Sequence, residues 1–416
     1  MEEKNIPILM QIIETIQETK QRTDFFQPLH DIKMSPIVKI AEHARQLEPS
    51  FEAQHGSKFI HLERGEIDLN TPIEITQAIE KHLKEGKTKY PKSGGELLLK
   101  TAIAEKLIIQ NSIPGITPED IVVTMGGQEA LNLSFQLFAN GVGGGFSPIW
   151  SVAIENFFPY SNITFHEVPL NKDFSIDYVV LEETMKMIDF FYLNNPQNPS
   201  GKVFTREELE RIVGLCQHYG IFLVSDEAYE HIIFDGVTFT SAASIAHELG
   251  YTDVITAYTF SKSFAATGLR VGYAVSKNKQ AIALIKAAQY THAAGVPTAV
   301  QLGFTEAYHI DLAPVVSEFE RRRNALYKGL QTLPSLKVNK PSGAFYMYPD
   351  FSEALKSKGL QTQELLDVLL QAGVCVVPGY AFTKAGHFET HARLSFSATS
   401  VDQINTAVER MRQLFG

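Results

Sequence analysis

The chain has 416 residues, of which 44% are apolar and 20% are charged, so it is long enough for one large domain with a smaller one or for two comparable domains. Its formal net charge of -10 lacks the surplus of lysine and arginine that marks proteins bound to a phosphate backbone, which favours a small-molecule ligand and no nucleic acid partner. The two cysteines, Cys216 and Cys375, are too few for a disulfide framework or a thiolate metal site, so we expect no metal and a reducing cytoplasm.

The first twenty residues, MEEKNIPILMQIIETIQETK, lack the basic start and the long apolar stretch of a secretion signal. No apolar stretch in the chain reaches the length of a membrane span, so we expect no membrane partner. Apolar residues recur in this segment at helical spacing, at Ile6, Leu9, Ile12, Ile13 and Ile16. This spacing predicts an amphipathic helix that covers some surface, such as that of a neighbouring subunit.

Short strand-like segments alternate with helical ones through the middle of the chain. The segments DIVVT, DFFYL, IFLVS and DVITAYT favour strands, whereas EALNLSFQLFA and REELERIVGLCQHYG have helical periodicity. This alternation predicts an α/β fold in which helices cover both faces of a mostly parallel sheet. Ligands of such sheets bind beyond the carboxyl ends of the strands, so the residues that follow each strand are candidates for a site.

The first two strand ends carry a glycine turn and a polar loop. After IVVT, Gly126 and Gly127 allow a tight turn and expose backbone amides at the start of a helix, which suits an anion such as phosphate. After FFYL, the loop NNPQNPSG leaves Asn198 available for hydrogen bonds.

The next two strand ends carry titratable side chains. IFLVS ends at Asp226, with Tyr229 three residues later, and DVITAYT ends at Thr259, which is followed by Ser261 and Lys262. Taken singly, each has an ordinary structural explanation, such as a helix cap for Asp226 or a surface amine for Lys262. Together, a carboxylate, a phenol, an amide, an amine and a phosphate-binding turn are the groups needed to hold pyridoxal phosphate.

The segment NGVGGGF contains a glycine cluster that could suggest a dinucleotide-binding loop. Its glycines, Gly141 and Gly143 to Gly145, follow a helical segment and precede a strand, which is the reverse of the order in that fingerprint. We therefore interpret the cluster as unrelated to nucleotide binding, and the sequence assigns it no role.

Three segments, NNPQNPSG, SDEAYE and SKSFAATGLRVGY, resemble in order and spacing the main motifs of fold type I pyridoxal-phosphate enzymes, specifically the class I aminotransferases. The resemblance extends over nearly the whole chain. It implies an aminotransferase that uses pyridoxal 5'-phosphate to transfer the amino group of an L-amino acid to a 2-oxo acid by a ping-pong mechanism.

The resemblance also implies roles for individual residues. Lys262 would bind the cofactor as a Schiff base and move protons, and Asp226 would pair with the pyridine nitrogen. Tyr229 and Asn198 would hydrogen-bond the phenolic oxygen of the cofactor, and Trp150 would stack on its ring. The residues implied for the phosphate are Arg270, Thr259, Ser261, Gly127 and Gln128.

The same resemblance implies a clamp for the substrate and a second subunit. Arg393 would bind the α-carboxylate, with a further contact from Asn198 and the backbone at Gly65 closing over it. Apolar and polar residues alternate in THARLSFSA, around Arg393, which predicts a half-buried strand. Tyr90 would reach across an interface to the neighbour's phosphate, so we expect a homodimer.

We expect two domains on this basis. Residues 70–304 would form a large cofactor-binding domain, and residues 1–69 and 305–416 would form a smaller α+β domain from both chain ends.

Two alternatives remain open at this point. The first is a lyase, cyclase or oxidative enzyme of the same fold acting on an amino acid, because the outcome depends on which Cα bond the enzyme orients for cleavage. The second is the sensor domain of an aminotransferase-like transcription regulator, although this chain starts with an acidic helix instead of a basic DNA-binding module. Gln128 also stands where one aspartate-using branch of the family has a lysine.

Overall fold

The computed structural model describes residues 34–416. The amphipathic helix expected between Ile6 and Ile16 lies outside these residues. Within 34–416, no helix is long and apolar enough to cross a bilayer.

A seven-stranded sheet forms the centre of the fold. In chain order, the strands of the described residues are β1 (Ile60–His61), β2 (Ile121–Thr124), β3 (Val142–Ser147), β4 (Thr164–Pro169), β5 (Phe190–Asn194), β6 (Phe222–Asp226), β7 (Val254–Thr259), β8 (Gly272–Val275), β9 (Tyr346–Met347), β10 (Val374–Cys375), β11 (Val377–Pro378) and β12 (Ala392–Ser395). The large sheet has the order β2-β8-β7-β6-β5-β3-β4. β8 alone runs opposite to the other six strands, so the mostly parallel α/β sheet expected from the sequence is confirmed.

The helices among the described residues are α1 (Pro36–His55), α2 (Ile73–Lys84), α3 (Leu97–Ile109), α4 (Gly127–Gln136), α5 (Phe158–Tyr160), α6 (Tyr178–Met185), α7 (Arg206–Tyr219), α8 (Ala242–Glu248), α9 (Phe260–Ser263), α10 (Lys279–Ala293), α11 (Thr298–Gly303), α12 (Ala313–Gln331), α13 (Ser352–Lys358), α14 (Leu365–Gln371) and α15 (Val401–Phe415). Short helical turns lie at Pro118–Asp120, Ala153–Phe157, Thr267–Leu269, Ala307–His309, Thr362–Glu364 and Gly379–Phe382. The predicted helix REELERIVGLCQHYG corresponds to α7, which begins after the cap at Thr205. The helix ends at Tyr219, and Gly220 caps it with a backbone in the left-handed region.

Helices pack on both faces of the large sheet. Phe190 and Phe191 are successive residues of β5, so their side chains point to opposite faces. Phe191 belongs to a core cluster with Leu209 of α7, and Phe190 belongs to another with Phe135 of α4. This arrangement explains why the strands read as continuous apolar segments instead of alternating ones.

Gly143 to Gly145 lie inside β3, so the expectation that they precede a strand is wrong, whereas Gly141 does precede this strand. A Cβ on Gly144 would lie 2.9 Å from the Ile188 side chain, and one on Gly145 would lie 2.7 Å from the carbonyl oxygen of Tyr192. Gly143 faces the ring of Phe190 just as closely. The cluster therefore lets β3 pack against bulky neighbours, which is a structural role.

Two small sheets lie outside the large one, and one of them joins segments from both ends of the described chain. β1 pairs with β10 in parallel, with Ile60 opposite Val374, and β12 lies between β11 and β9. Segments near residues 60 and 374 are therefore direct neighbours. The domain boundaries near residues 70 and 304 stay a prediction.

The strand that carries Arg393 is buried on both faces, so the expectation of a half-buried strand is wrong. Leu394 is fully buried on one face, and Arg393 and Ser395 are 2% exposed on the other. Polar side chains on that second face contact other polar groups inside the protein instead of water. The alternating pattern was real, but its polar face lines an internal site.

Candidate active site

A cavity of about 940 Å³ lies at the carboxyl ends of β5, β6 and β7. It is lined by almost every residue that the sequence analysis assigned to a site. These residues are Gly65, Gly127, Gln128, Trp150, Asn198, Asp226, Tyr229, Thr259, Ser261, Lys262, Arg270 and Arg393. Tyr90 is the exception, because it does not line the cavity and is 91% exposed.

Lys262 lies in α9, the one-turn helix that follows β7. The Thr259 hydroxyl caps this helix by accepting a hydrogen bond from the backbone N of Ser261 at 3.1 Å. Lys262 Nζ donates a hydrogen bond to the carbonyl oxygen of Gly65 at 3.0 Å. Burial lowers the pKa of Lys262 to about 8, and the positive charge of Arg393 acts in the same direction. A large fraction of this amine is therefore neutral and nucleophilic near pH 8.

Asp226 is the last residue of β6 and is 5% exposed. Its carboxylate accepts hydrogen bonds from the Tyr192 hydroxyl at 3.0 Å and from the backbone N of Ala228 at 3.2 Å. Burial raises the pKa of Asp226 to about 6, although these two hydrogen bonds favour the ionised form. A cationic group of a ligand beside this carboxylate would keep it ionised, because buried charges require a partner.

The turn between β2 and α4 forms a cradle for an anion. Gly126 has a φ of 78°, and α4 begins at Gly127. A Cβ on Gly126 would lie 2.6 Å from Arg270 Nη2, so glycine is what allows the guanidinium to lie against the turn. The hydroxyls of Thr259 and Ser261 are hydrogen-bonded to each other at 2.9 Å. Helix-start amides, two hydroxyls and a guanidinium are suited to a phosphate group.

Arg393 enters the cavity from β12 with neutral partners only. Its Nη1 donates to Asn198 Oδ1 at 3.2 Å, and its Nη2 donates to the carbonyl oxygen of Glu63 at 2.7 Å. The guanidinium lies over the ring of Tyr346, 4.4 Å from the ring centre. Its Nε is buried without a hydrogen-bond partner, and no carboxylate of residues 34–416 forms an ion pair with it. This buried cation is therefore available for an anionic ligand.

Tyr229 and Asn198 have different hydrogen-bond partners among the described residues. The Tyr229 hydroxyl is 2.9 Å from the Tyr346 hydroxyl, and either oxygen can be the donor. The backbone N of Asn198 donates to Asn194 Oδ1 at 2.7 Å, which fixes the loop after β5. The amide of Asn198 faces Arg393, while the phenol of Tyr229 lies near Asp226 in the same cavity.

Trp150 and Gln128 complete the walls. Trp150 contacts Phe157 edge to face, with ring centres 5.7 Å apart, and presents its remaining surface to the cavity. Gln128 lies in the first turn of α4, next to Gly127. Both residues line the cavity, and their contacts with a cofactor stay a prediction.

Several lining residues were missed by the sequence analysis, namely Glu66, Asn132, Asn156, Asn194, Thr267 and Tyr346, together with Met34, Ser35, Ile37 and Val38 near the start of α1. Tyr192 was missed too, although a single phenol inside the apolar strand FFYL is a signal that its hydroxyl has a buried partner. Tyr346 offered less, because SGAFYMYPD has no pattern that separates a site residue from core aromatics.

Comparisons with known proteins agree on the family. The sequence profile described as "Aminotransferase class I and II" matches residues 57–411. The chain is 33% identical over 392 residues to the probable aspartate/prephenate aminotransferase of Aquifex aeolicus, covering 92% of this chain and 96% of that protein. It is 32% identical over 400 residues to the aspartate/prephenate aminotransferase of Thermus thermophilus, covering 92% and 97%.

Solved structures give the same result. The aspartate aminotransferase from Thermus thermophilus with maleate superposes with a TM-score of 0.83 at 30% identity, covering 93% of this chain and 98% of that one. The aromatic aminotransferase from Pyrococcus horikoshii superposes with a TM-score of 0.79 at 30% identity, covering 88% and 97%. With its cavity at the strand ends and this agreement over most of its length, the chain belongs to the class I and II aminotransferases of fold type I.

Proposed function

We propose that this aminotransferase moves the amino group of an L-amino acid to a 2-oxo acid in a ping-pong sequence, with pyridoxal 5'-phosphate bound in the cavity. The family supports amino-group transfer, and the cavity supports the cofactor and the type of substrate. The observation that carries the proposal is the buried Arg393, which forms no ion pair with a carboxylate of residues 34–416 and lies in the same cavity as the amine of Lys262.

The residues present fit pyridoxal phosphate on three counts. An amine with a lowered pKa, an anion cradle and a buried carboxylate line one cavity. Lys262 would bind the aldehyde carbon as a Schiff base, Asp226 would face the pyridine nitrogen, and Trp150 would stack on the ring. Tyr229 and Asn198 would hydrogen-bond the phenolic oxygen. The phosphate would be held by Arg270, Thr259, Ser261, Gly127 and Gln128.

The cofactor, when bound, supplies an electron-withdrawing ring that accepts the electron pair left by the Cα proton. Lys262 Nζ takes that proton from the substrate Cα, and its pKa of about 8 suits a base that works near neutral pH. The Gly65 carbonyl oxygen holds the amine at this side of the cavity. The buried carboxylate of Asp226 would keep the pyridine nitrogen protonated, because a negative charge nearby favours the positively charged form.

Arg393 binds and orients the α-carboxylate of the amino acid or 2-oxo acid. A planar guanidinium binds a carboxylate through two parallel hydrogen bonds, which fixes the direction of the bond to Cα. Asn198 already contacts this guanidinium and adds an amide donor beside it. Because the side chain is 2% exposed, water competes little for this contact.

The test is a panel of amino donors and 2-oxo acceptors with the purified holoenzyme. The donors include aspartate and aromatic amino acids, because these substrates appear in the names of the relatives. Formation of one 2-oxo acid per amino acid consumed supports the proposal. The variant Lys262→Arg keeps the charge but cannot serve as the base, so it should form no 2-oxo acid. Consumption of the amino acid without a 2-oxo acid would point instead to a lyase, cyclase or oxidative reaction.

We further propose a cytoplasmic homodimer in which Tyr90 reaches the partner's phosphate site. Tyr90 is exposed in the single chain, as are Leu97 and Leu98 nearby at the start of α3. An exposed aromatic beside exposed leucines is typical of an interface. Both cysteines are unpaired thiols, which fits a reducing compartment.

A further inference from the structure

Three side chains that can bind a metal meet outside the large cavity, on the paired strands β1 and β10. His61 lies opposite Cys375 in the register of these strands, and Glu63 follows two residues after His61. One ligand atom from each residue lies within 4.8 Å of the other two: an imidazole nitrogen, a carboxylate oxygen and the thiol sulfur. None of the three residues lines the cavity of the proposed active site.

Only one of the two oxygens of the Glu63 carboxylate forms hydrogen bonds among residues 34–416. Glu63 is fully buried, and its Oε1 is 2.9 Å from His61 Nδ1, while its Oε2 has no hydrogen-bond partner within the described part of the chain. Burial of a carboxylate oxygen costs free energy unless a cation or a hydrogen-bond donor contacts it.

The surroundings orient the imidazole. His61 Nε2 is 3.6 Å from a carboxylate oxygen of Glu48 on α1, so a proton on Nε2 faces Glu48 and Nδ1 can act as a ligand. Arg64 is the positive group at this cluster, with its Nε 3.2 Å from Glu63 Oε1. Its side chain is 46% exposed, so it can move into water when a cation binds.

We propose that His61, Glu63 and Cys375 bind one divalent cation of the zinc type, with Glu48 as the positioning residue for His61. Nitrogen, oxygen and sulfur are the ligand atoms that Zn²⁺ accepts, and three protein ligands leave a fourth position for water. The sequence led us to expect no metal because two cysteines are too few for a thiolate site, whereas the pairing of β1 with β10 brings a histidine and a glutamate next to one cysteine.

Binding balances charge and protons. The S–H bond of Cys375 breaks, its proton passes to solvent and a metal–sulfur bond forms. The proton that His61 Nδ1 donates to Glu63 moves to Nε2, which faces Glu48, so that Nδ1 can bind the cation. The thiolate and the Glu63 carboxylate together neutralise the cation.

The test uses Co²⁺ as a spectroscopic probe of the holoenzyme, with Cys375→Ser and a matched control, Cys216→Ser. Cys216 is the other buried thiol and lies on α7. The wild type and Cys216→Ser should each bind one Co²⁺ per chain in equilibrium dialysis, with the visible bands of four-coordinate cobalt. Cys375→Ser should lose these bands and bind at least about 10-fold more weakly. No bound Co²⁺ in the wild type, or equal binding by Cys375→Ser, would overturn the proposal.

Two further variants keep the test decisive if Cys375→Ser does not fold. His61 is partly exposed, so His61→Ala removes a ligand with less disturbance, and retained stoichiometric Co²⁺ binding by a folded His61→Ala would refute the site. Glu48→Gln should weaken binding by about 10- to 100-fold while leaving the stoichiometry at one. Unchanged affinity would remove Glu48 from its positioning role.

Discussion

Replacing Asp226 by asparagine should stabilise the cofactor-free protein at alkaline pH, although it should impair the enzyme. Burial raises the pKa of this carboxyl to about 6 from an ordinary value of 3.8. Because the pKa is higher in the folded than in the unfolded protein, the protonated carboxyl favours the folded state at low pH. This contribution to stability is lost as the pH rises through about 6. Asparagine cannot ionise, so the variant does not suffer this loss.

The magnitude follows from the two pKa values. The difference between 3.8 and about 6 corresponds to about 3 kcal/mol of unfolding free energy when the group is fully ionised, as at about pH 8. At about pH 5 the same linkage gives roughly half of that cost. The unfolding free energy of Asp226→Asn relative to the wild type should therefore increase by about 1.5 kcal/mol between about pH 5 and about pH 8. Any fixed cost of losing a hydrogen bond from Tyr192 cancels in this difference.

Urea titrations of the cofactor-free proteins at the two pH values measure this change. Trp150 is the single tryptophan of the chain and lines the cavity, so its fluorescence reports unfolding near Asp226. Glu105→Gln, at an exposed position of α3, is the control and should show no comparable change with pH. A relative stability of Asp226→Asn that is the same at both pH values would refute the assignment of Asp226 as a buried carboxylate with a raised pKa.

Three further changes test other parts of the site. Arg393→Ala should weaken the binding of α-carboxylate substrates by about 2–5 kcal/mol, seen as a higher KM, and unchanged kinetics would assign Arg393 to a structural role. Tyr90→Phe should increase cofactor dissociation by about 10-fold or more in the dimer, because a hydrogen bond to a charged group contributes about 1.5–3 kcal/mol, and a fully active monomer would contradict this. Gly126→Ala should lower stability by about 1–3 kcal/mol and weaken cofactor binding by displacing Arg270. Gly214→Ala, where a Cβ meets nothing within 4 Å, should do neither.

Most residues that the sequence analysis assigned to a site line the cavity, because the carboxyl ends of parallel strands lie at the same edge of a sheet. Asp226 and Thr259 each end an apolar strand, and adjacent parallel strands bring such residues to one edge. The resemblance to a known family then supplied positions that no local pattern indicates, such as Trp150 and Arg393.

The residues that were missed depend on tertiary contacts. Tyr346 comes from the small sheet and reaches Tyr229 only through the packing of distant segments, so no local spacing identifies it. The burial of Arg393 was misjudged because alternation shows that a strand has two faces but not what covers the second one. The glycines of β3 were misread because the groups that leave no room for a Cβ come from a later segment of the chain. These groups are the Ile188 side chain, the Phe190 ring and the Tyr192 carbonyl oxygen.

The central claim is that the amine of Lys262 carries the cofactor. Reduction of the holoenzyme with borohydride, followed by proteolysis and mass spectrometry, tests it most directly. We expect one pyridoxyl group per chain, on Lys262 within the peptide that contains SKSFAATGLR. A label on another lysine, or no covalent label in a protein that still catalyses amino-group transfer, would contradict it.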